Sequence, residues 1–147
     1  MFAFKLGLLS FWGLWFSVVF LTNLFDGFRL VDVFPVTWKF ASRNFQSVVK
    51  ACACYCASPW LPKLLFTGVI VWQLIAVVLY GWAFMASLRE GMIERAEVNG
   101  AFACSLGLWA AFMISDEIFK EYDTQRSHVL FFIAQLFSLL AMYVLPS

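Results

Sequence analysis

Four stretches of this sequence carry no charged residue at all: Leu6–Phe25, Leu64–Ala86, Val98–Ser115 and Val129–Leu145. A helix needs about 20 residues, within a range of roughly 17–25, to cross the hydrocarbon of a bilayer. The first two stretches meet that length comfortably. The last two are short and are expected to run on into the interface. A water-soluble bundle built from such runs would have almost nothing polar to show to water: 63% of the 147 residues are hydrophobic and 13% charged, against roughly 25% charged in soluble domains. The expected fold is therefore an all-α membrane protein with four transmembrane helices, one domain over 1–147, and no room for a second.

A secretory leader is the competing interpretation of the first stretch. Its apolar run exceeds the roughly 7–15 residues of a leader's hydrophobic region, and "NLFDGF" is a poor cleavage site. It is taken as a span. Trp60, Trp82, Tyr122 and Tyr143 near the ends of the stretches suit aromatic belts at the two interfaces. "SPWLP" puts two prolines where the second span should start. The connections are one long loop, Asp26–Lys63, and two short ones, Ser87–Glu97 and Asp116–His128.

The long loop has its own pattern. At 100° per residue, Trp38, Ala41, Phe45, Val48, Val49, Cys52, Tyr55 and Cys56 fall on one arc, and Lys39, Arg43, Gln46 and Lys50 on another. This predicts an interfacial amphipathic helix over about 38–57. Its basic stripe of Lys39, Arg43 and Lys50 would face anionic phospholipid headgroups, cardiolipin being a natural example. Three of the four cysteines lie here, in "ACACYC". On a helix Cys52 and Cys56 share the apolar arc while Cys54 points nearly the opposite way, so the sulfurs do not converge on the tetrahedral set that structural zinc needs. They are expected to be small apolar fillers. No metal and no cofactor are expected: His128 is the sole histidine, so a haem with two histidine ligands would need a second chain. No phosphate loop, hydrolase arrangement or zinc motif is present. A formal net charge of +1 without a dense basic block excludes nucleic acid as a partner.

Two further sets of residues stand out. Ala103, Gly107 and Ala111 recur four apart in the third span, beside Gly100 and Cys104, and Gly13 with Ser17 does the same in the first. Small residues at this spacing let membrane helices approach closely, either within the chain's own bundle or against a partner subunit. Asn23, Asp26, Gln73 and Gln135 are the intramembrane polar candidates. Such groups serve as interhelical hydrogen bonds or as contacts to a quinone or lipid headgroup. Basic residues number three on the side of the amino terminus and middle loop (Lys5, Arg89, Arg95) and seven on the other (Arg29, Lys39, Arg43, Lys50, Lys63, Lys120, Arg126). By the positive-inside rule the long loop belongs in the cytoplasm or matrix.

"FKLGLLSFWGLWFSVVFLTNLFDG", "SPWLPKLLFTGVIVWQLIAVVLYGWA" and "NGAFACSLGLWAAFMISDEIFKEYDTQ" resemble, in that order, a family of predicted small integral membrane proteins of bacteria, catalogued only as a domain of unknown function. The resemblance covers nearly the whole chain. It rests on Asn23-x-x-Asp26, on a tryptophan followed by an acid in the second span (here Trp72–Gln73, an amide in the acid's place), and on the acidic-aromatic turn after the third. It implies four spans, no known activity, and a long loop on the outside, opposite to the charge count.

The functional expectation is a non-catalytic accessory subunit of a larger assembly in a bacterial or mitochondrial inner membrane, a respiratory electron-transport complex being the assembly expected. Its 18 Phe and 7 Trp offer apolar surface to other membrane subunits, and no residue set suits an enzyme. The alternative is a stand-alone lipid- or quinone-binding protein with its cleft near Trp72 and Gln73.

Overall fold

The computed structural model describes residues 1–35, 37–55 and 58–146, which hold helices α1 (Phe2–Leu30), α2 (Asn44–Ala53), α3 (Trp60–Glu90), α4 (Arg95–Phe119) and α5 (Tyr122–Val144). No strand occurs among the described residues. Four helices, α1, α3, α4 and α5, are long and apolar enough to cross a membrane. Each runs past its charge-free stretch at one end or both, because a helix keeps its hydrogen-bond ladder beyond the hydrocarbon until a stop signal arrives. For α3 that signal is Gly91, whose φ of 67° is the left-handed conformation that glycine adopts without penalty. Pro62 sits in the first turn of α3, where a missing N–H costs nothing. Lys120 closes α4 in the same left-handed region without a glycine's freedom, and the N–H of Glu121 returns to the carbonyl of Asp116 at 2.9 Å.

The four long helices form an antiparallel up-and-down bundle. Gly13 meets Tyr80 and Gly27 meets Ile70, so α1 and α3 run in opposite senses. Trp72 reaches Cys104, and Ser87 accepts from the N–H of Glu94 at 3.1 Å across the α3–α4 turn. Asp116 meets His128 at one end of the α4–α5 pair and Asn99 meets Tyr143 at the other. Residues near both termini therefore share one end of the bundle with the α3–α4 turn. The long connection, α2 and the α4–α5 turn share the opposite end. The core is aromatic: Trp12 and Phe16 of α1, Tyr80 of α3, and Phe102 and Trp109 of α4 are all buried. Phe131 of α5 stacks on Trp109 with ring centroids 4.9 Å apart.

Outward, the same helices expose large apolar side chains along their whole length, among them Leu14 and Val18, Val78 and Trp82, Ile114, and Leu130 and Phe137. A soluble bundle does not leave apolar faces this extensive uncovered. The chain is an integral membrane protein of four candidate spans.

The long connection departs from the expected helix over 38–57. Helix α2 covers only Asn44–Ala53, with Arg43 as its N-cap at φ −117°. Trp38 is pulled out of helical register by stacking on Phe34, centroids 5.0 Å apart, inside a cluster with Phe25 and Phe40. The N–H of Ser42 is bound to the carbonyl of Thr22 at 2.9 Å. Lys39 and Arg43 thus precede the helix, and the predicted basic stripe is not one helical face: Lys50 alone of the three lies on α2. Cys56, placed on the apolar arc by the sequence pattern, lies outside the described residues.

Candidate functional site

Polar side chains gather at the α2 end of the bundle, and they begin with two residues one helical turn apart. Asn23 and Asp26 lie on the inward face of α1, 2% and 1% exposed. The Asn23 amide donates to Gln73 Oε1 of α3 at 3.0 Å. Its oxygen accepts from Ser42 Oγ at 2.7 Å and from Asn44 Nδ2 at 2.8 Å. Asp26 Oδ2 accepts the backbone N–H of Phe45 at 3.0 Å and, more weakly, Ser42 Oγ at 3.4 Å. Its other oxygen is 3.5 Å from Arg29, one turn on. A carboxylate aimed at the first free N–H groups of a helix is favoured both by the hydrogen bond and by the helix dipole. Asp26 thus caps α2 from another helix. The N–x–x–D spacing works because residues three apart share a helix face, so one face of α1 presents both acceptors to α2.

The other end of α2 is tied to the opposite side of the bundle. The Tyr55 hydroxyl donates to the carbonyl of Ile118 at 2.5 Å, and the Tyr55 ring meets Phe119 edge-on. Between these ties, Cys52 is 2% exposed and Phe45 packs edge-on against Phe66. α2 is a strap from α1 and α3 across to the end of α4. Burial pushes the Cys52 thiol above its ordinary pKa, with Cys54 nearby adding in the same direction. Cys54 is exposed and weakly donates to the carbonyl of Ala51. No group of three metal-ligating side chains occurs among the described residues.

Beside the strap, His128 Nδ1 lies 2.5 Å from Asp116 Oδ2, and Thr124 donates to Asp116 Oδ1 at 3.0 Å. The imidazole stacks on Phe112 and lies against Trp109. Asp116 is an acceptor hub that pins the α4–α5 turn.

Gln135 is elsewhere. It is fully buried at mid-bundle, where its amide donates to the Tyr80 hydroxyl at 3.3 Å; Tyr80 and Ser105 share a hydrogen bond of 3.0 Å. Gln135 Oε1 has no partner among the described residues. Of the four polar candidates, the structure brings Asn23, Asp26 and Gln73 into one network and leaves Gln135 in another. Sequence reasoning missed Ser42, Asn44, Tyr80 and Ser105. The hydroxyls and the loop amide carried no signal, since their partners lie far along the chain.

Lys5, read from sequence as a flanking charge, is 5% exposed and donates to the carbonyls of Met142 and Leu145, each at 2.9 Å. It satisfies carbonyls that the last turn of α5 would otherwise leave free. Gly107 faces inward: a Cβ there would meet Trp72 Cζ2 at 3.3 Å, and the Trp72 indole donates to the carbonyl of Cys104 at 3.0 Å. Ala103 is exposed and Ala111 half-buried. The expected cleft at Trp72 and Gln73 is occupied by these bonds. Shallow apolar grooves lie instead near Gly81, one of them lined by Leu9, Gly13 and Phe84 and another by Val78, Met85 and Arg89. No protein-family model, curated protein or solved structure matches the chain.

Proposed function

We propose that this chain is a non-catalytic subunit of a larger membrane assembly, with a respiratory electron-transport complex of a bacterial or mitochondrial inner membrane as the assembly to test first. One observation carries it: Asn23, Asp26, Gln73 and Asp116, the polar groups that could have served a substrate, are spent on holding the strap and the α4–α5 turn in place. What the molecule offers to its surroundings is apolar and aromatic surface on every long helix, which suits helix packing against other subunits and lipid. The test is purification of the tagged chain from its native membrane in a mild detergent. Companions present in fixed stoichiometry are expected. A lone chain carrying a bound lipid or quinone would replace this function with the stand-alone binding one.

A further inference from the structure

We infer that the α2 end of the bundle is a binding surface for anionic phospholipid headgroups, built by Lys39, Arg43, Lys50 and Lys63. From the sequence this end of the molecule looks nearly neutral, because Asp26, Asp32, Asp116, Glu117, Glu121 and Asp123 accompany its basic residues. Folding changes that balance. Asp26 is 1% exposed and turned onto the N–H of Phe45 and Arg29, and Asp116 is 7% exposed and turned onto His128 and Thr124. Two carboxylates are thereby withdrawn from the surface. The remaining acids Glu117, Glu121 and Asp123 lie on the α4–α5 turn, whereas 31–63, the connection that carries the strap, holds Lys39, Arg43, Lys50 and Lys63 against Asp32 alone. All four cations are exposed, and none forms an ion pair among the described residues.

The occupant follows from what lies beside the charges. Trp38, Phe40, Tyr55 and Trp60 are exposed on the same segment, at 37%, 68%, 55% and 60%. Exposed aromatics interleaved with cations at the point where spans leave the hydrocarbon are the composition of a bilayer interface, where rings sit at headgroup depth and cations meet phosphate. The surface is also continuous with the apolar outer face of α3, since Leu64 and Leu65 directly follow Lys63 and are exposed. A dianionic or monoanionic phospholipid fits both parts at once. The basic groups need not share a helix face for this, so the surface survives the loss of the helical stripe.

The experiment is native mass spectrometry of the full chain in mild detergent with phosphatidylglycerol and phosphatidylcholine in competition. Wild type is expected to retain phosphatidylglycerol in at least about tenfold preference, and raised salt should weaken it. Each single change, K39Q, R43Q, K50Q or K63Q, should lower the preference by about fivefold. The combined change should abolish it, with K120Q/R126Q on the neighbouring turn as the control that keeps it. Absence of a preference in wild type, or an unchanged preference in the single variants, overturns the inference. If the combined variant folds, keeps its lipid and loses a co-purifying protein, an acidic protein is the occupant and the lipid surface falls.

Discussion

Asp26 and Gln135 are both buried polar residues of a span, yet they answer to different accounts. Asp26 has its acceptors filled, and removing it strips the cap from α2 and leaves Arg29 without its partner. Asp26→Ala should cost about 1–3 kcal/mol, seen as faster hydrogen exchange at Phe45 while amides inside α1 and α3 stay protected. Gln135 has a buried oxygen without a partner among the described residues, and its hydrogen bond to Tyr80 is long at 3.3 Å. Gln135→Leu should leave the melting temperature in detergent unchanged or raised, since Tyr80 keeps Ser105. Gln73→Leu should lower it, because the Asn23 amide loses its acceptor. Equal losses from both leucine variants would contradict this distinction. Cys52 and Cys54 differ as well. Cys52 is buried and Cys54 exposed, so alkylation of Cys52 should be the slower, and its raised pKa means that its own rate should climb as the pH is raised toward the alkaline range. Mass spectrometry of the labelled chain reads both sites.

At the scale of the element, α4 carries small residues on two sides with different duties. A Cβ at Gly107 would meet Trp72 of α3 at 3.3 Å, and a larger side chain there must displace an indole held by its bond to the Cys104 carbonyl. Gly100 has nothing within 4 Å of where its Cβ would be. Gly107→Leu should therefore separate α3 from α4 and lower the melting temperature of the isolated chain. Gly100→Leu should leave it unchanged. If the outer side of α4 meets a partner subunit, Gly100→Leu is the variant that inserts normally and fails to co-purify. α2 shows why a short helix persists here at all. Ten residues are too few to be stable alone in water, and this one is held by a carboxylate at its first turn and a tyrosine beyond its last.

At the scale of the molecule, the bundle is closed by contacts between distant parts of the chain. α1 and α5 touch only lightly, through Lys5 at the carbonyls of α5, the Trp12 indole donating to Ser138 at 3.0 Å, and Trp15 against Phe131. Lys5→Met should loosen this seam first, with raised exchange in the last turn of α5 and little change in α3 or α4. The two ends of the molecule also differ in kind. One buries its lysine and joins Arg95 to the Tyr143 ring. The other leaves Lys39, Arg43, Lys50 and Lys63 exposed on the strap and beside it. The count of three basic residues against seven predicts that strap on the cytoplasmic or matrix side, opposite to the orientation implied by the resemblance to the bacterial family. An impermeant thiol reagent reaching Cys54 only in inverted vesicles is the expected result.

The four spans were legible because hydrophobic length is a local quantity: a run without charge must leave water wherever it lies in the chain. Asn23 and Asp26 stood out for the same reason, as polar groups in an apolar setting. What they do depended on which partners arrive from elsewhere, and Ser42, Asn44 and Phe45 are brought to them only when the long connection folds back over the bundle end. The helix expected over 38–57 is present but begins only at Asn44, for a related cause: Trp38 stacks on Phe34 and Ser42 bonds to Thr22, and neither neighbour is visible to a helical period. Lys5 looked like a flanking charge until the end of α5 came within reach. Sequence alone determined that this chain crosses a membrane and roughly where. Which polar groups are satisfied, which cations stay free and which glycine is a seam were decided by tertiary structure, because each depends on the distance between groups that the chain's order keeps far apart.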